Sequence, residues 1–282
     1  MIIKSRNYVE VPEARTPPLL KWAGGKRNLV DLILPLVPSR FNRYFEPFFG
    51  GGALFFALQS NKAHLSDKNT ELMHAYTQVR DQPDAVIREL RKLRNSKKDY
   101  YKIRSSIPKG DAARAARLIY LVTLAFNGIY RVNLNGDFNV PYGYKTHVEP
   151  CDEERIRNAS KLLKGAAIRD EDFEKAVSQA GEGDLVYLDP PYTVAHGNNG
   201  FIKYNAKIFS WEDQIRLSLV AKELVGKGCI VIVSNADHPS IRSLYDGFMA
   251  TTLERNSIIA ASSDFRSRIT ECVFHAGGKL KC

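Results

Sequence analysis

The chain has 282 residues, of which 44% are hydrophobic and 26% are charged; this composition is typical of a globular protein and argues against disorder. It is long enough for one sizeable α/β domain with a smaller domain inserted or appended. No stretch approaches the ~20 apolar residues of a membrane helix and the N-terminus has no signal-peptide pattern, so we expect a cytoplasmic protein with no membrane partner.

The net charge of +10 is concentrated in one segment. Residues 88–117 contain eleven Lys and Arg against three Asp and Glu. Such a cluster favours a polyanionic partner, above all nucleic acid, because neutralised phosphates release their counterions. A solvated helix face would produce the same pattern.

The first part of the chain follows a strand, turn, helix order. A helix-like segment ends at Leu36, a buried strand is predicted at 44–49, and three glycines separate it from a helix at 53–59. A second short strand at 63–67 ends on a carboxylate and is followed by a helix at about 71–79.

The middle of the chain interrupts this order. Residues 83–127 have a basic, helical pattern, and residues 128–143 predict a hairpin or an ordered loop, so this stretch resembles an insertion. Alternation then resumes, with strands at 167–169, 184–188, 229–234, 251–254 and 269–275 and helices at 171–179 and 211–225. The alternation predicts a mainly parallel sheet covered on both faces.

The segment after the strand at 184–188 carries the sharpest chemical signal. It reads Asp189-Pro190-Pro191-Tyr192, and because two prolines cannot continue a strand, the chain must turn at the carboxyl edge of the sheet, where ligands of open α/β sheets bind. An ordinary strand-ending turn is the alternative interpretation.

These four residues suit methyl transfer to an aromatic amine such as the 6-amino group of adenine. The Asp189 carboxylate and the Pro190 carbonyl can accept hydrogen bonds from the two amine N–H groups, and Tyr192 can hold the base. A base inside a duplex must leave the stack to reach such a site, so the chemistry implies base flipping.

A second candidate site follows the first strand. Glycines at 50–52 would let a ligand approach the backbone at a helix N-terminus, and Asp67 comes one strand later, where a carboxylate often holds ribose hydroxyls. A tight packing turn is the alternative for the glycines. A phosphate-binding P-loop at Gly24-Gly25-Lys26 is disfavoured, since Arg27 stands where Ser or Thr would meet magnesium.

The four cysteines and six histidines show no pairing or ligand spacing. We therefore expect no metal site and no disulfide, and we interpret Cys229 and Cys272 as buried thiols.

Six motifs, in this order along residues 19–274, resemble those of the Dam and DpnM family of adenine-specific DNA methyltransferases. They are residues 21–26 (KWAGGK), 48–52 (FFGGG), 66–67 (SD), 126–133 (FNGIYRVN), 138–143 (FNVPYG) and 189–192 (DPPY). The resemblance implies an α/β fold, a Rossmann-like methyltransferase sheet formed by residues 1–80 and 146–282. It also implies an inserted, mainly helical target recognition domain at 81–145.

The same resemblance implies S-adenosylmethionine as cofactor. Trp22, Lys26, Asp67 and Asp189 would contact it, and Phe48, Gly50 and Gly52 would shape its loop. Asp172 and Phe173 could flank its adenine.

The resemblance implies double-stranded DNA as substrate, with Lys21, Ile129, Arg131 and Pro141 facing the bases and Phe126 and Asn127 filling the space left by the flipped nucleotide. Arg131 could instead contact a phosphate. Arg266 and Arg268 resemble a phosphate-binding loop, for which a plain hairpin connection is the alternative, and residues 198–204 resemble a lid. One departure is Tyr144-Lys145, where the family often has an arginine.

The predicted activity is methylation of adenine in a short site resembling GATC. Methylation of a cytosine amine or of RNA, and DNA binding without catalysis, are the alternatives. We expect a monomer in a bacterial or phage-infected cell, and a restriction endonuclease acting separately could share its site.

Overall fold

The computed structural model describes residues 15–22, 24–133, 135–193, 209–256 and 268–277. Within this part of the chain no helix is long and apolar enough to cross a membrane.

Seven strands form one mixed sheet in the order β3-β2-β1-β4-β5-β7-β6. The bounds are β1 Tyr44–Glu46, β2 Ala63–Ser66, β3 Ala166–Arg169, β4 Leu185–Leu188, β5 Ile230–Ala236, β6 Met249–Asn256 and β7 Arg268–Ala276. The pairs β2 with β3, β1 with β4 and β4 with β5 are parallel, whereas β7 runs antiparallel to β5 and β6. The prediction of a mainly parallel α/β sheet is confirmed. The first strand is shorter than predicted because Pro47 follows it and has no N–H for a ladder.

The α-helices among the described residues are α1 Val30–Ile33, α2 Ala53–Leu58, α3 Thr70–Asp81, α4 Pro83–Leu90, α5 Lys97–Arg104, α6 Asp111–Leu124, α7 Glu153–Leu163, α8 Phe173–Val177, α9 Trp211–Gly226 and α10 Pro239–Leu244. Short 3-10 helices span Leu34–Leu36 and Phe126–Gly128. Two helices were not predicted, α7 and α10. The side chain of Asp152 accepts the Arg155 N–H and so caps α7, a start signal present in the sequence.

The described residues divide into two compact units. The first unit consists of residues 29–48, 172–193, 209–256 and 268–277 and contains β1, β4, β5, β6 and β7. One face of β4 and β5 is apolar, with Val186, Leu188, Val231 and Val233 buried beneath α8 and α9 in a shared core. The helix α9 begins with a capping box between Ser210 and Asp213.

The second unit consists of residues 15–28 and 49–171, apart from 23 and 134, and contains β2, β3 and helices α2 to α7. Helix α6 packs against α3 and α4 through its buried apolar face. After α6 the chain forms a loop held by isolated bridges between Ala125 and Tyr142 and between Val132 and Phe138, in agreement with the predicted hairpin or ordered loop. The predicted bounds of the inserted domain, 81 and 145, lie inside this unit, and the domain division stays a prediction.

Candidate active site and nucleic-acid interface

The predicted catalytic segment follows β4 in the first unit. Asp189 is half-buried and Pro190 is buried. Because β4 pairs parallel with β1 and β5, the carboxyl ends of all three strands reach the same edge. The sequence interpretation that Asp189 to Tyr192 lie at this edge is therefore confirmed.

Buried polar groups line the sheet face opposite the apolar core. The Tyr44 hydroxyl donates to Glu46 Oε2 at 2.8 Å, and the Tyr187 hydroxyl lies 2.9 Å from Ser234 Oγ. Burial raises the pKa of both tyrosines, and Glu46 and Asp189 raise it further. The raised pKa keeps these hydroxyls protonated beside the carboxylates, and Tyr44 donates to Glu46.

Tyr192 is anchored by its hydroxyl, which donates to Glu271 Oε2 at 2.6 Å. Burial, followed by the negative charge of Glu271, raises the pKa of Tyr192. Glu271 is 1% exposed and lies beside Ala236 in the β5–β7 register, at the carboxyl end of β5. Sequence reasoning missed Glu271, although a carboxylate inside an apolar strand is an available signal.

An aromatic group lies at the amino end of α8. Phe48 stacks on Phe173 with ring centroids 5.4 Å apart, and Phe209 packs against both rings. Arg216 of α9 lies over the Phe173 ring at 4.1 Å and donates to both carboxylate oxygens of Asp172. The structure thus brings together Phe48, Asp172 and Phe173, three predicted cofactor residues. Phe173 is only 3% exposed, so the half-buried Asp172 and Phe48 offer more surface to a ligand.

The predicted cofactor loop lies in the second unit and is built on left-handed glycines. Gly50 and Gly52 have φ of 47° and 64°. A Cβ on Gly50 would approach Trp22 Cδ1 to 2.9 Å, and one on Gly52 would approach the Phe49 ring to 2.5 Å. These positions therefore require glycine both for conformation and for space.

Asp67 holds this loop through hydrogen bonds to its backbone. Its two carboxylate oxygens accept the N–H groups of Gly50 and Asn69, each at 3.0 Å. Burial raises the pKa of Asp67, and the two backbone N–H groups oppose this shift. Trp22 lies against Gly50 and stacks on Tyr130 with ring centroids 5.0 Å apart. Because Gly50 also donates to Asp67, Trp22, Gly50, Gly52 and Asp67 belong to one local arrangement.

Lys26 is 6% exposed and donates to the Gly24 carbonyl at 2.9 Å. This bond holds the glycine turn that follows Trp22. Lys26 thus supports the turn after Trp22, whose ring lies against Gly50 of the predicted cofactor loop.

The predicted base-reading residues lie around the loop that follows α6. Phe126 is 49% exposed, and its N–H donates to the Pro141 carbonyl at 2.9 Å. Asn127 has a left-handed backbone with φ of 54°, a conformation that is sparsely populated and concentrated at functional sites. Arg131 is exposed and its Nε donates to Asn139 Oδ1 at 2.8 Å.

The remaining members of this set are close by. The aliphatic chain of Lys21 lies against Gly128, where a Cβ would approach Lys21 Cδ to 2.8 Å. Ile129 is half-buried and Pro141 is exposed. Tyr144, at the point of departure from the family, is 64% exposed with φ of 54°, and the Lys97 ammonium lies over its ring at 5.5 Å.

The basic segment 88–117 contains two kinds of cation. Some interact with other residues of the protein. Arg91 forms an ion pair with Glu153, Lys92 with Glu89 and Arg114 with Glu71. Arg104 and Arg117 donate to backbone carbonyls. Others are exposed and form no ion pair with any described residue: Arg88, Arg94, Lys98, Lys102 and Lys109. The surface available to phosphates is therefore smaller than the sequence count suggests.

Part of the predicted DNA-contacting set belongs to segments beyond the residues that the structure describes. Arg266 and the lid at 198–204 lie outside the described residues. Arg268 opens β7, and its side chain is also outside them. Cys229 and Cys272 are buried free thiols, as predicted, whereas Cys151 is half-buried.

Comparisons with known proteins identify a family. The model of the D12 class N6 adenine-specific DNA methyltransferases matches residues 22–259. Similar proteins include the type II methyltransferase M1.LlaDCHI of Lactococcus lactis subsp. cremoris, 40% identical over 95% of this chain and 98% of the relative. They also include the type II methyltransferase M.MjaIII of Methanocaldococcus jannaschii, which is 35% identical over 88% of this chain and 94% of the relative. A DNA adenine methylase of Escherichia coli (strain K12) is 30% identical over 89% of this chain and 92% of the relative.

The glycine loop yields a prediction about stability. Gly52→Ala should lower the free energy of unfolding by about 2 kcal/mol or more, because a left-handed alanine is strained and its Cβ meets the Phe49 ring. Gly110→Ala is the matched control, since a Cβ there meets nothing within 4 Å. Thermal or urea unfolding measures both variants. Equal stability of the two would show that the loop does not require glycine at position 52.

Proposed function

The chain belongs to the D12 class of N6 adenine-specific DNA methyltransferases, and we propose that it methylates the adenine of a short, GATC-like site in duplex DNA from a pocket centred on Asp189. Adenine methylation of DNA is the activity of the family. The recognised sequence, the residues that act and base flipping are the proposal.

The observation that carries the proposal is the conformation around Asp189. This carboxylate ends a buried parallel strand, two prolines turn the chain after it, and Tyr192 is fixed by Glu271. Asp189 and the Pro190 carbonyl accept hydrogen bonds from the two amine N–H groups of the flipped adenine and orient its nitrogen, while the ring of Tyr192 holds the base.

S-adenosylmethionine supplies the methyl group as an already activated sulfonium. The residues of the second unit fit its ribose: a carboxylate offers about four lone-pair sites, and the Asp67 oxygens accept one N–H each. Two hydroxyl donors can thus still be accepted by Asp67. Trp22, Lys26, Gly50 and Gly52 shape the loop on which the cofactor lies, and Phe48, Asp172 and Phe173 are proposed to meet its adenine.

DNA is proposed to contact the loop after α6 and the exposed cations. Lys21, Ile129, Arg131 and Pro141 face the bases, and Phe126 and Asn127 fill the space of the flipped nucleotide. Arg131 donates to Asn139 through Nε, which leaves the terminal guanidinium nitrogens to donate to guanine O6 and N7. Arg266 and Arg268 are proposed to bind phosphates.

Asp189→Ala should lower kcat by on the order of 10²-fold or more, because it removes the acceptor that orients the amine, while DNA affinity stays unchanged. Asp189→Asn keeps one carbonyl acceptor and should retain more activity. Transfer of labelled methyl groups to a GATC duplex measures both. Asp246→Ala, an exposed carboxylate of the same unit, is the control. Normal turnover by folded Asp189→Ala would remove Asp189 from catalysis.

Cofactor affinity should depend on the ionisation of Asp67. Asp67→Ala should weaken binding at least tenfold, since each lost bond to a charged acceptor contributes about 1.5 to 3 kcal/mol. In the wild type, protonation removes the charge, so affinity falls as the pH falls through the Asp67 pKa. Because burial raises that pKa, the loss begins above the pH of ~4 at which an ordinary aspartate titrates.

Calorimetry with S-adenosylmethionine across this pH range tests the dependence on Asp67. Asp170→Ala, an exposed carboxylate after β3, should behave as the wild type. If Asp67→Ala binds as tightly as the wild type at neutral pH, the ribose assignment is wrong.

Arg131→Ala should reduce activity on GATC far more than on duplexes altered at the guanine that Arg131 reads, because a bidentate contact provides about 1 to 3 kcal/mol of discrimination. Arg94→Ala is the control, since an exposed arginine that touches only phosphate should weaken all sequences equally. Methylation rates on a panel of duplexes decide between the two roles. An unchanged order of site preference in Arg131→Ala would assign it to the backbone.

DNA affinity should fall steeply with added salt, with a slope of about −0.9 in log K per phosphate neutralised. The double variant Lys98→Ala, Lys102→Ala should make this slope shallower by about 2. Arg91→Ala, Lys92→Ala removes the same charge from ion-paired positions and should change the slope less. Equal slopes in both double variants would show that the exposed lysines make no phosphate contact.

A further inference from the structure

The catalytic segment lacks two of the backbone N–H groups that usually hold a loop in place. Pro190 and Pro191 have no backbone N–H, so this part of the chain cannot be held through main-chain donors. Only its carbonyl groups and side chains can fix it. The position matters because an error of about 1 Å in the reacting geometry can cost on the order of 10²-fold in rate.

Gln214 of α9 provides an anchor for the segment. Its Nε2 donates to the Pro191 carbonyl at 3.2 Å, and the residue is 0% exposed. The capping box of Ser210 and Asp213 fixes the first turn of α9 immediately before Gln214. The donor therefore comes from the capped first turn of a helix and reaches the loop inside the protein interior.

A second amide sets the orientation of the first. The Ala236 N–H donates to Asn235 Oδ1 at 2.8 Å, so Asn235 Nδ2 faces Gln214 Oε1, to which it donates at 3.0 Å. Since Oε1 of Gln214 is occupied as an acceptor, Nε2 must point to the Pro191 carbonyl. Asn235 is also fully buried, and in a dry interior each bond that is lost leaves a polar group unsatisfied.

We propose that Gln214 is a positioning residue for methyl transfer, with Asn235 as the residue that orients it. By fixing the Pro191 carbonyl, Gln214 sets the direction of the preceding peptide. That peptide carries the Pro190 carbonyl, which together with Asp189 accepts hydrogen bonds from the amine N–H groups. The inference rests on the proposed function, because it assumes that the segment at Asp189 is the catalytic one.

Gln214→Met tests the proposal, since methionine keeps the length of the side chain and removes its donor. Single-turnover methylation with enzyme in excess over a GATC duplex separates the rate constant from the fraction of active molecules. We expect the rate constant to fall by about 30-fold, a partial loss of the reacting geometry, with full amplitude and an unchanged S-adenosylmethionine affinity. The fluorescence rise of a duplex with 2-aminopurine at the target should persist, because Tyr192 keeps its own anchor in Glu271.

Leu224→Ala is the matched control on the same helix. Leu224 is 2% exposed in the same core, so its truncation destabilises the fold without touching the catalytic segment. It should lower the melting temperature and leave the rate constant within twofold of the wild type. A wild-type rate constant in Gln214→Met, or a loss of amplitude alone, or the same kinetic defect in Leu224→Ala, would each overturn the positioning role.

Asp189→Ala, measured in parallel, distinguishes a failure of the positioning role of Gln214 from a failure of the proposed function. If Asp189→Ala is inactive and Gln214→Met reacts at the wild-type rate, only the positioning role fails. If Asp189→Ala itself reacts at the wild-type rate, the proposed function fails.

Discussion

Parallel pairing of β1, β4 and β5 is the constraint on which the site depends. It brings Glu46, Asp189 and Asn235 to the carboxyl edge of the sheet. Burial limits the access of water to Glu46 and Asn235, so protein groups must provide their hydrogen-bond partners: Tyr44 donates to Glu46, and Asn235 donates to Gln214. The antiparallel strand β7 then brings Glu271 next to Ala236, within reach of Tyr192.

Helix α9 stabilises the sheet by packing on it and also positions residues of the site. Its apolar residues cover the β4 and β5 face, while Gln214 and Arg216 extend from its first turns to the Pro191 carbonyl and to Asp172. Three carboxylates surround the Arg216 guanidinium, Asp172, Glu174 and Asp213, and raise its pKa. A displacement of these first turns would therefore reach both the catalytic segment and the residues proposed for the cofactor adenine.

The alternation of strands and helices, the turn after Asp189 and the glycine loop could be predicted from the sequence, because local chemistry determines them. Prolines end β4, and the glycines at 50 and 52 permit left-handed turns. The anchors of the site could not be predicted in this way. Gln214 follows the apolar spacing of α9, and only the fold reveals that its partner is a carbonyl 23 residues earlier. The count of basic residues overestimated the surface free for phosphates, since Arg91, Lys92 and Arg114 are committed to ion pairs.

The most direct test of the account is the identity of the methylated base. The protein is incubated with S-adenosylmethionine carrying a labelled methyl group and with duplex DNA that contains GATC sites, and the nucleosides are then resolved by mass spectrometry. The account predicts label in N6-methyladenine in the duplex and none in single-stranded RNA of the same sequence. Label in N4-methylcytosine, or transfer to the RNA in preference to the duplex, would contradict it.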